Sequence, residues 1–498
     1  MTPTRRWGSL AVLVSAVLLL VIDSTVLYLA VPALTRDLAP TATQVLWIGD
    51  IYSLTLAGLL VTMGNLADRI GRKRLLLLGT GAFGVASLMA ALAPTPEVLI
   101  AARLLLGVAG ATIMPSTLSL IRNIFTDPTE RTRAIALWSA AAASGIALGP
   151  LIGGALLEHL WWGSVFLINI PVMLAVLILG GWLLPESRNP HPDPFDLASS
   201  ALSMLAITPL VYAIKQAAGG SLSLGVLLAV VVVGVTSGYL FVRRQRRSTA
   251  PMIEVGLFSN PAFSGAVLVN LISVFALSGA LFFFSQYLQL ARGLSPFQAG
   301  LAELPVAVAS MSAAAVVGVL LTRLGRGRAI AAALFLGAVG LGLIAALESR
   351  ENLAWVLLAT VPLGLGVGIA ETLSVDAVVS AVRPDKAGAA SSISETAYEL
   401  GVALGIALLG SLITVLYRLR LTLPEGTEAN AAHQAQDSLA TAASLFTPGS
   451  PARLAAQEAF VSAMQTTTLI AAGIMLGAAA VAYTLIPNHK EAVPDAHA

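Results

Sequence analysis

Long apolar runs, broken by short segments that carry charge, proline or glycine, recur from one end of the chain to the other. Each run is roughly 18 to 27 residues long, enough for a helix to cross about 30 Å of hydrocarbon. This pattern predicts fourteen membrane-spanning helices, approximately at 9–31, 45–66, 75–93, 97–121, 134–157, 163–184, 199–214, 223–242, 262–288, 299–321, 329–347, 353–380, 387–417 and 464–486. The segment 418–463 is too polar to span and is read as a long outer loop.

The positions of Lys and Arg test that count, because basic residues concentrate on the inner side of a membrane protein. With both ends inside, twenty of the 28 basic residues fall on the inner side, from Arg5 and Arg6 to Arg383, Lys386 and Lys490. Seven fall outside: Arg36, Lys215, Arg292, Arg350, Arg418, Arg420 and Arg453. Arg103 alone is left within the membrane. A twelve-helix count scrambles this pattern. Arg5 and Arg6 before the first apolar run imitate a secretory signal, but no clear small-residue cleavage site follows, so the run is read as the first spanning helix.

Composition agrees: 57% of residues are hydrophobic and 11% charged, against about 45–50% and about 25% in soluble domains. The net charge of +2 is scattered over short loops, which excludes a nucleic-acid-binding stripe. Cysteine is absent, and the five histidines show no metal-ligand spacing. Lys73, Lys215, Lys386 and Lys490 are followed by Arg, Gln, Ala and Glu, so no Walker A ending exists and ATP is not expected to drive the protein. No Ser/His/Asp or metal constellation points to an enzyme. The expected partners are the bilayer, protons and small molecules, with no cofactor, no nucleic acid and a monomeric state.

Two internal matches indicate a repeat. Asp68 to Arg74, after the second helix, aligns with Thr322 to Arg328, after the tenth, at an offset of 254 residues. Gly145-Ile146-Ala147-Leu148-Gly149 aligns with Gly401-Val402-Ala403-Leu404-Gly405 at an offset of 256. The expected fold class is therefore an all-α integral membrane protein: a six-helix bundle over 1–188, a linker with an inserted helix pair over 189–250, a second six-helix bundle over 251–490 that includes the 418–463 loop, and a cytoplasmic tail over 491–498. Parallel halves of this kind place a substrate site at their interface near midmembrane.

The run Gly64-Asn65-Leu66-Ala67-Asp68-Arg69-Ile70-Gly71-Arg72-Lys73-Arg74 resembles, almost letter for letter, the loop 2–3 signature of the major facilitator superfamily. The chain looks like that superfamily's 14-helix drug:proton antiporter branch of QacA type over nearly its whole length. The resemblance implies a conformational latch built on Gly64, Asp68, Arg69, Gly71 and Arg72. Gly64 would permit close helix approach, Gly71 a tight turn, and Asp68 a charge for nearby arginines or helix N-termini. Gly145, Gly149, Pro150, Gly153 and Gly154 resemble the motif that marks antiporters. Their small side chains also suit tight helix packing.

An ionised side chain at a helix centre costs roughly 2.5 to 3.5 kcal/mol, so embedded acids point to function. Asp23 lies about fourteen residues into the first helix and resembles the family's first-helix acid. Asp50, two residues before Tyr52, lies about two turns from the outer end of the second. Arg103 in the fourth helix sits at a similar depth and is expected to pair with Asp50. Glu395 and Glu399 are four apart and share a helical face, with Tyr398 between them as an aromatic contact. Glu371 is a further candidate; Asp376, five residues on, faces elsewhere near the inner interface, and Glu303 is a lesser one. Where the family branch often has adjacent acids, Ser394 stands beside Glu395, and Ser310 stands near the position of another family acid.

The expected function is a proton-coupled antiporter that exports lipophilic, often cationic compounds across the cytoplasmic membrane. The alternatives are an exporter of one endogenous antibiotic or metabolite, a nutrient importer on the same scaffold, and a nontransporting sensor, against which the embedded acids argue. Asp23→Asn and Glu395→Gln are expected to insert but lose coupling.

Overall fold

The computed structural model describes residues 2–188, 196–219, 223–248, 251–350, 352–382 and 387–488. Fourteen of its helices are long and apolar enough to span a membrane. They are α1 (Pro3–Leu38), α2 (Ala42–Ile70), α3 (Arg72–Ala91), α4 (Pro96–Ile124), α5 (Pro128–His159) and α6 (Ser164–Leu183). Next come α7 (Leu197–Gly219), α8 (Leu224–Arg247), α9 (Pro261–Ala291), α10 (Pro296–Leu324), α11 (Arg326–Leu347) and α12 (Leu353–Ser380). The helix α13 runs from Ala387 to Leu404, passes through a π turn at Gly405–Leu409 and continues as Gly410–Arg420. The last, α14, is Pro451–Leu485. No strand occurs among the described residues.

Helix starts follow local chemistry. Thr41 caps α2 and Ser295 caps α10 through reciprocal bonds with Gln44 and Gln298 three residues on. Proline occupies the first turn of α1, α4, α5, α9, α10 and α14, where its missing N–H costs no helical bond.

The region expected to be a long outer loop is mostly helical. Two short helices, Ala429–Ala435 and Leu439–Leu445, fold against α13 and α14, and α14 begins at Pro451 rather than near 464. Its first turns are polar on one side, which hid them from a hydropathy reading. Tyr417 donates to the Ala435 carbonyl at 2.9 Å and Arg418 pairs with Asp437 at 3.3 Å, which satisfies the polar groups that mark the segment as loop-like. Of the inner-side basic residues, Arg383, Lys386 and Lys490 lie outside the described residues, as do the Pro190–Phe195 stretch and the tail 491–498.

The repeat is visible in three dimensions. Gly71 between α2 and α3 has φ +112° and Gly325 between α10 and α11 has φ +78°. Both are left-handed positions, which glycine adopts without penalty, and they stand 254 residues apart. Gly145 and Gly149 of α5 pack against α1, while Gly401 and Gly405 of α13 pack against α9, the equivalent partner.

At the face opposite the chain ends, the Glu348 side chain after α11 is 1% exposed, and neither carboxyl oxygen has a hydrogen-bond partner among the described residues. Burial pushes that carboxyl up to about 8, against the opposing pull of Arg292. The fold thus retains a proton there that an unfolded chain sheds above about pH 4.3. Its stabilising contribution is complete below that value and is lost as pH rises through 8. Glu348→Gln should therefore unfold at a higher temperature than the unmodified protein at pH 9 and at the same temperature at pH 4; equal midpoints at both would refute this.

Candidate functional site

Between α1, α2, α4 and α5 on one side and α10, α12 and α13 on the other lies a cavity of about 660 Å³. Its walls are mostly aliphatic and small residues, with Ser24, Tyr52, Trp138 and Ser310 among them. Three carboxylates project into it: Glu371 from α12, and Glu395 and Glu399 from α13, with Tyr398 beside them. The four-residue spacing delivers both α13 acids to one face, as expected. Ser394 turns the other way and receives the Asn270 amide of α9 on its hydroxyl at 3.1 Å and on its carbonyl at 3.0 Å. Glu395 is electrostatically felt by both Glu371 and Glu399, and Glu399 reaches the Ser53 hydroxyl of α2. Among the described residues no Lys or Arg lines the cavity, and none of the three glutamates has an ion pair.

The two N-terminal aspartates are placed differently. Asp23 is fully buried behind the cavity wall and pairs with Arg103 at 2.9 Å, so Arg103 serves Asp23 and not, as expected, Asp50. The Asn169 amide of α6 donates to the other Asp23 oxygen at 2.6 Å and to Ser87 at 3.0 Å. Arg103 also donates to the Ile48 carbonyl at 3.2 Å and stacks 4.8 Å from the centre of the Tyr52 ring. Tyr52 therefore has the cavity on one side and this buried cation on the other.

Asp50 pairs instead with Lys215 at 2.6 Å, both side chains fully buried, and the ammonium lies 3.6 Å from the centre of the Trp47 ring. Lys215 does not belong to an outer loop: it lies within α7, so Arg103 is not the only embedded cation. It sits one residue beyond the expected helix end, before Gln-Ala-Ala-Gly-Gly, where composition alone reads as a terminus. The clue in the sequence is Asp50 itself, since an embedded carboxylate calls for a cation.

The loop between α2 and α3 is a set of ties to α6. Arg72 pairs with Asp68 at 2.8 Å and its backbone N–H donates to the Ser187 carbonyl at 2.7 Å, while Lys73 donates to the Gly181 carbonyl at 2.7 Å. Arg69 is exposed. Gly64 is not required by a close approach: a Cβ there would lie 3.7 Å from Pro115, an ordinary contact distance. Asp376 is half exposed and pairs with Arg326 at 2.7 Å, as its place near the helix end suggested. Glu303 is buried on α10, away from the cavity lining, with one oxygen unpaired among the described residues.

Gly145 and Gly149 bring α5 onto α1: a Cβ at Gly145 would stand 2.8 Å from Val21, and Gly149 and Gly153 are tighter against Thr25 and Val26. Gly154 faces the other set of helices, 2.7 Å from the Pro296 carbonyl by the same measure, and Gly300 sits against the Pro150 carbonyl. The Major Facilitator Superfamily profile matches residues 13–406. The chain belongs to the Major Facilitator Superfamily. It is 48% identical over 485 residues to the multidrug efflux pump LfrA of Mycolicibacterium smegmatis, covering 96% of each protein. It is 38% identical over 483 residues to the methyl viologen resistance protein SmvA of Salmonella typhimurium, covering 95% of this chain and 96% of that one. A third relative is the puromycin resistance protein pur8 of Streptomyces alboniger, at 32% over 496 residues, covering 99% and 93%. Among solved structures, a bacterial homologue of the human lysosomal transporter Spinster, in an inward-facing and occupied conformation, aligns with a TM-score of 0.68 at 16% identity over 98% of each chain.

In this member of the superfamily, a transporter and not an enzyme, the cavity is closed at the face away from the chain ends. There the Gly154 and Gly300 contacts join α5 to α10, Phe297 N–H donates to Glu158 at 3.3 Å, and Gln289 donates to the Leu29 carbonyl at 3.1 Å. The lining residues lie in the middles and terminus-side halves of their helices, such as Ala136–Ile146 of α5 and Gly368–Val375 of α12. The cavity therefore opens toward the face that carries Thr2 and Ile486.

Proposed function

We propose that this transporter exports lipophilic, often cationic compounds in exchange for protons, by alternating access across the cytoplasmic membrane, as a monomer with both ends in the cytoplasm. The observation that carries this reading is the contrast between acids: Asp23 and Asp50 are each neutralised by a buried cation, whereas Glu371, Glu395 and Glu399 share an apolar cavity without one. Clustered carboxylates in a low-dielectric space hold protons until a positive charge replaces them. Cargo and protons then exclude each other there, which is the requirement for exchange. Tyr52, Tyr398 and Trp138 supply aromatic faces for an organic cation.

In the cycle, the bundles 1–188 and 251–490 rock about the cavity. Cargo enters from the cytoplasm or inner leaflet, displaces protons from the glutamates, and leaves outward when protons return. The contacts of Gly154 with Pro296 and of Gly300 with Pro150 form the outer closure that must part. Each entering proton supplies about 1.4 kcal/mol per pH unit, and the potential adds about 2.3 kcal/mol per 100 mV for each charge by which the entering protons exceed the leaving cargo, so no nucleotide or cofactor is needed. The names of LfrA, SmvA and pur8 support small-molecule export.

Cells expressing the protein and loaded with ethidium should lose the dye faster than cells without it, and a protonophore should remove the difference. Equal retention in both cell types, or efflux indifferent to the protonophore, would reject the reading.

A further inference from the structure

The inserted helix α7 lies over the seam where α2 meets α13. Ile51 and Leu54 of α2, Val211 of α7, and Ala403 and Ala407 of α13 form one small buried apolar cluster, with Ile207 and Leu404 at its margin. The two sides of this contact differ in kind. Toward α2 it is polar at three levels: Ser200 meets Thr62 at 2.6 Å, the Ser203 hydroxyl donates to the Gly58 carbonyl at 3.4 Å, and Lys215 pairs with Asp50. From Ser200 to Lys215 these contacts span about 22 Å of helix. Toward α13, the described contacts are aliphatic.

We propose that Lys215 is a positioning residue: through Asp50 it keys α7 and α8 to the first six helices, so that the inserted pair travels with them while α7 slips along α13 during transport. A buried ion pair has one partner and one geometry, and separating it strands two charges. Aliphatic contact is non-directional and re-forms after a small displacement. Rocking that moves α2 relative to α13 must break one side of α7, and the apolar side is the one that yields. Asp50 and Lys215 also lie near other charged groups: the Asp23–Arg103 pair on α1 and α4, and, across Ser53, Glu399 of α13, which has no cation of its own among the described residues.

This inference rests on the alternating-access reading above. The chain has no cysteine, so engineered pairs are the only thiols present. Full-length variants in proteoliposomes, with an imposed pH gradient and ethidium as cargo, provide the test. Thr62→Cys with Ser200→Cys joins α7 to α2 by near-isosteric replacement, and its oxidised form should transport within about twofold of its reduced form. Val211→Cys with Ala407→Cys joins α7 to α13, and oxidation should slow transport by at least about tenfold, reversed by reductant. Lys215→Met together with Asp50→Asn, which removes both charges so that neither is stranded, added to the first pair should be slow when reduced and recover when the disulfide takes over the key. A blocked α7–α2 disulfide, a freely transporting α7–α13 disulfide, or no recovery in the variant with Lys215→Met and Asp50→Asn would overturn the proposal. Absence of dye movement in the unmodified protein would sink the exchange reading and this inference together, whereas the other failures sink this inference alone.

Discussion

Glu395→Gln is expected to insert and unfold like the unmodified protein yet to lose uphill export. The substitution is isosteric, and Glu395 lines the cavity with no hydrogen bond or ion pair described for it, so little packing is disturbed. What disappears is the carboxyl group that senses both Glu371 and Glu399. Exchange of one proton for one monovalent cation moves no net charge, so the pH difference alone drives it: about two pH units, at about 1.4 kcal/mol each, sustain a dye gradient of about a hundredfold. Uncoupling should bring the steady-state ratio of a cationic dye across vesicles toward one, while exchange down a preset gradient continues. A variant that still builds the full gradient removes Glu395 from the coupling machinery.

The second large effect concerns folding. Arg103→Met leaves the Asp23 carboxylate fully buried with Asn169 as its remaining hydrogen-bond partner. Breaking a buried pair by removing one member costs about 3–5 kcal/mol, because a charge is left without compensation. The thermal midpoint in detergent and the yield in membranes should both fall. Adding Asp23→Asn should return most of the loss, since removing both charges is often nearly neutral. An Arg103→Met protein of undiminished stability would mean that the pair is not structural. The same geometry changes the expectation for Asp23→Asn alone: it strands Arg103, so reduced stability accompanies any transport defect.

The candidate site was legible to different depths for identifiable reasons. Glu395, Glu399 and Tyr398 were readable because helical periodicity decides which residues share a face, and Glu371 because an acid in an apolar run is conspicuous. The partners of Asp23 and Asp50 were not readable. Arg103 and Asp50 match in depth, yet Arg103 turns to Asp23, 80 positions away, and Lys215 reaches Asp50 from 165 positions away. Asn169, which completes the Asp23 site, is one amide at the start of an apolar segment and carries no signal of its own.

What the amino-acid order determined alone is the number of crossings, the class of fold, the twofold repeat and the residue types at the heart of the cavity. These depend on local properties: the length of apolar runs, the sidedness of basic residues, glycine at left-handed turns and the helical repeat. What the tertiary structure decided is which acids are neutralised and which stay available, where the cavity closes, the folding of the 421–450 region, and the attachment of α7 to α2. Those outcomes depend on which helices become neighbours, and a buried charge takes its behaviour from the atoms that surround it in space.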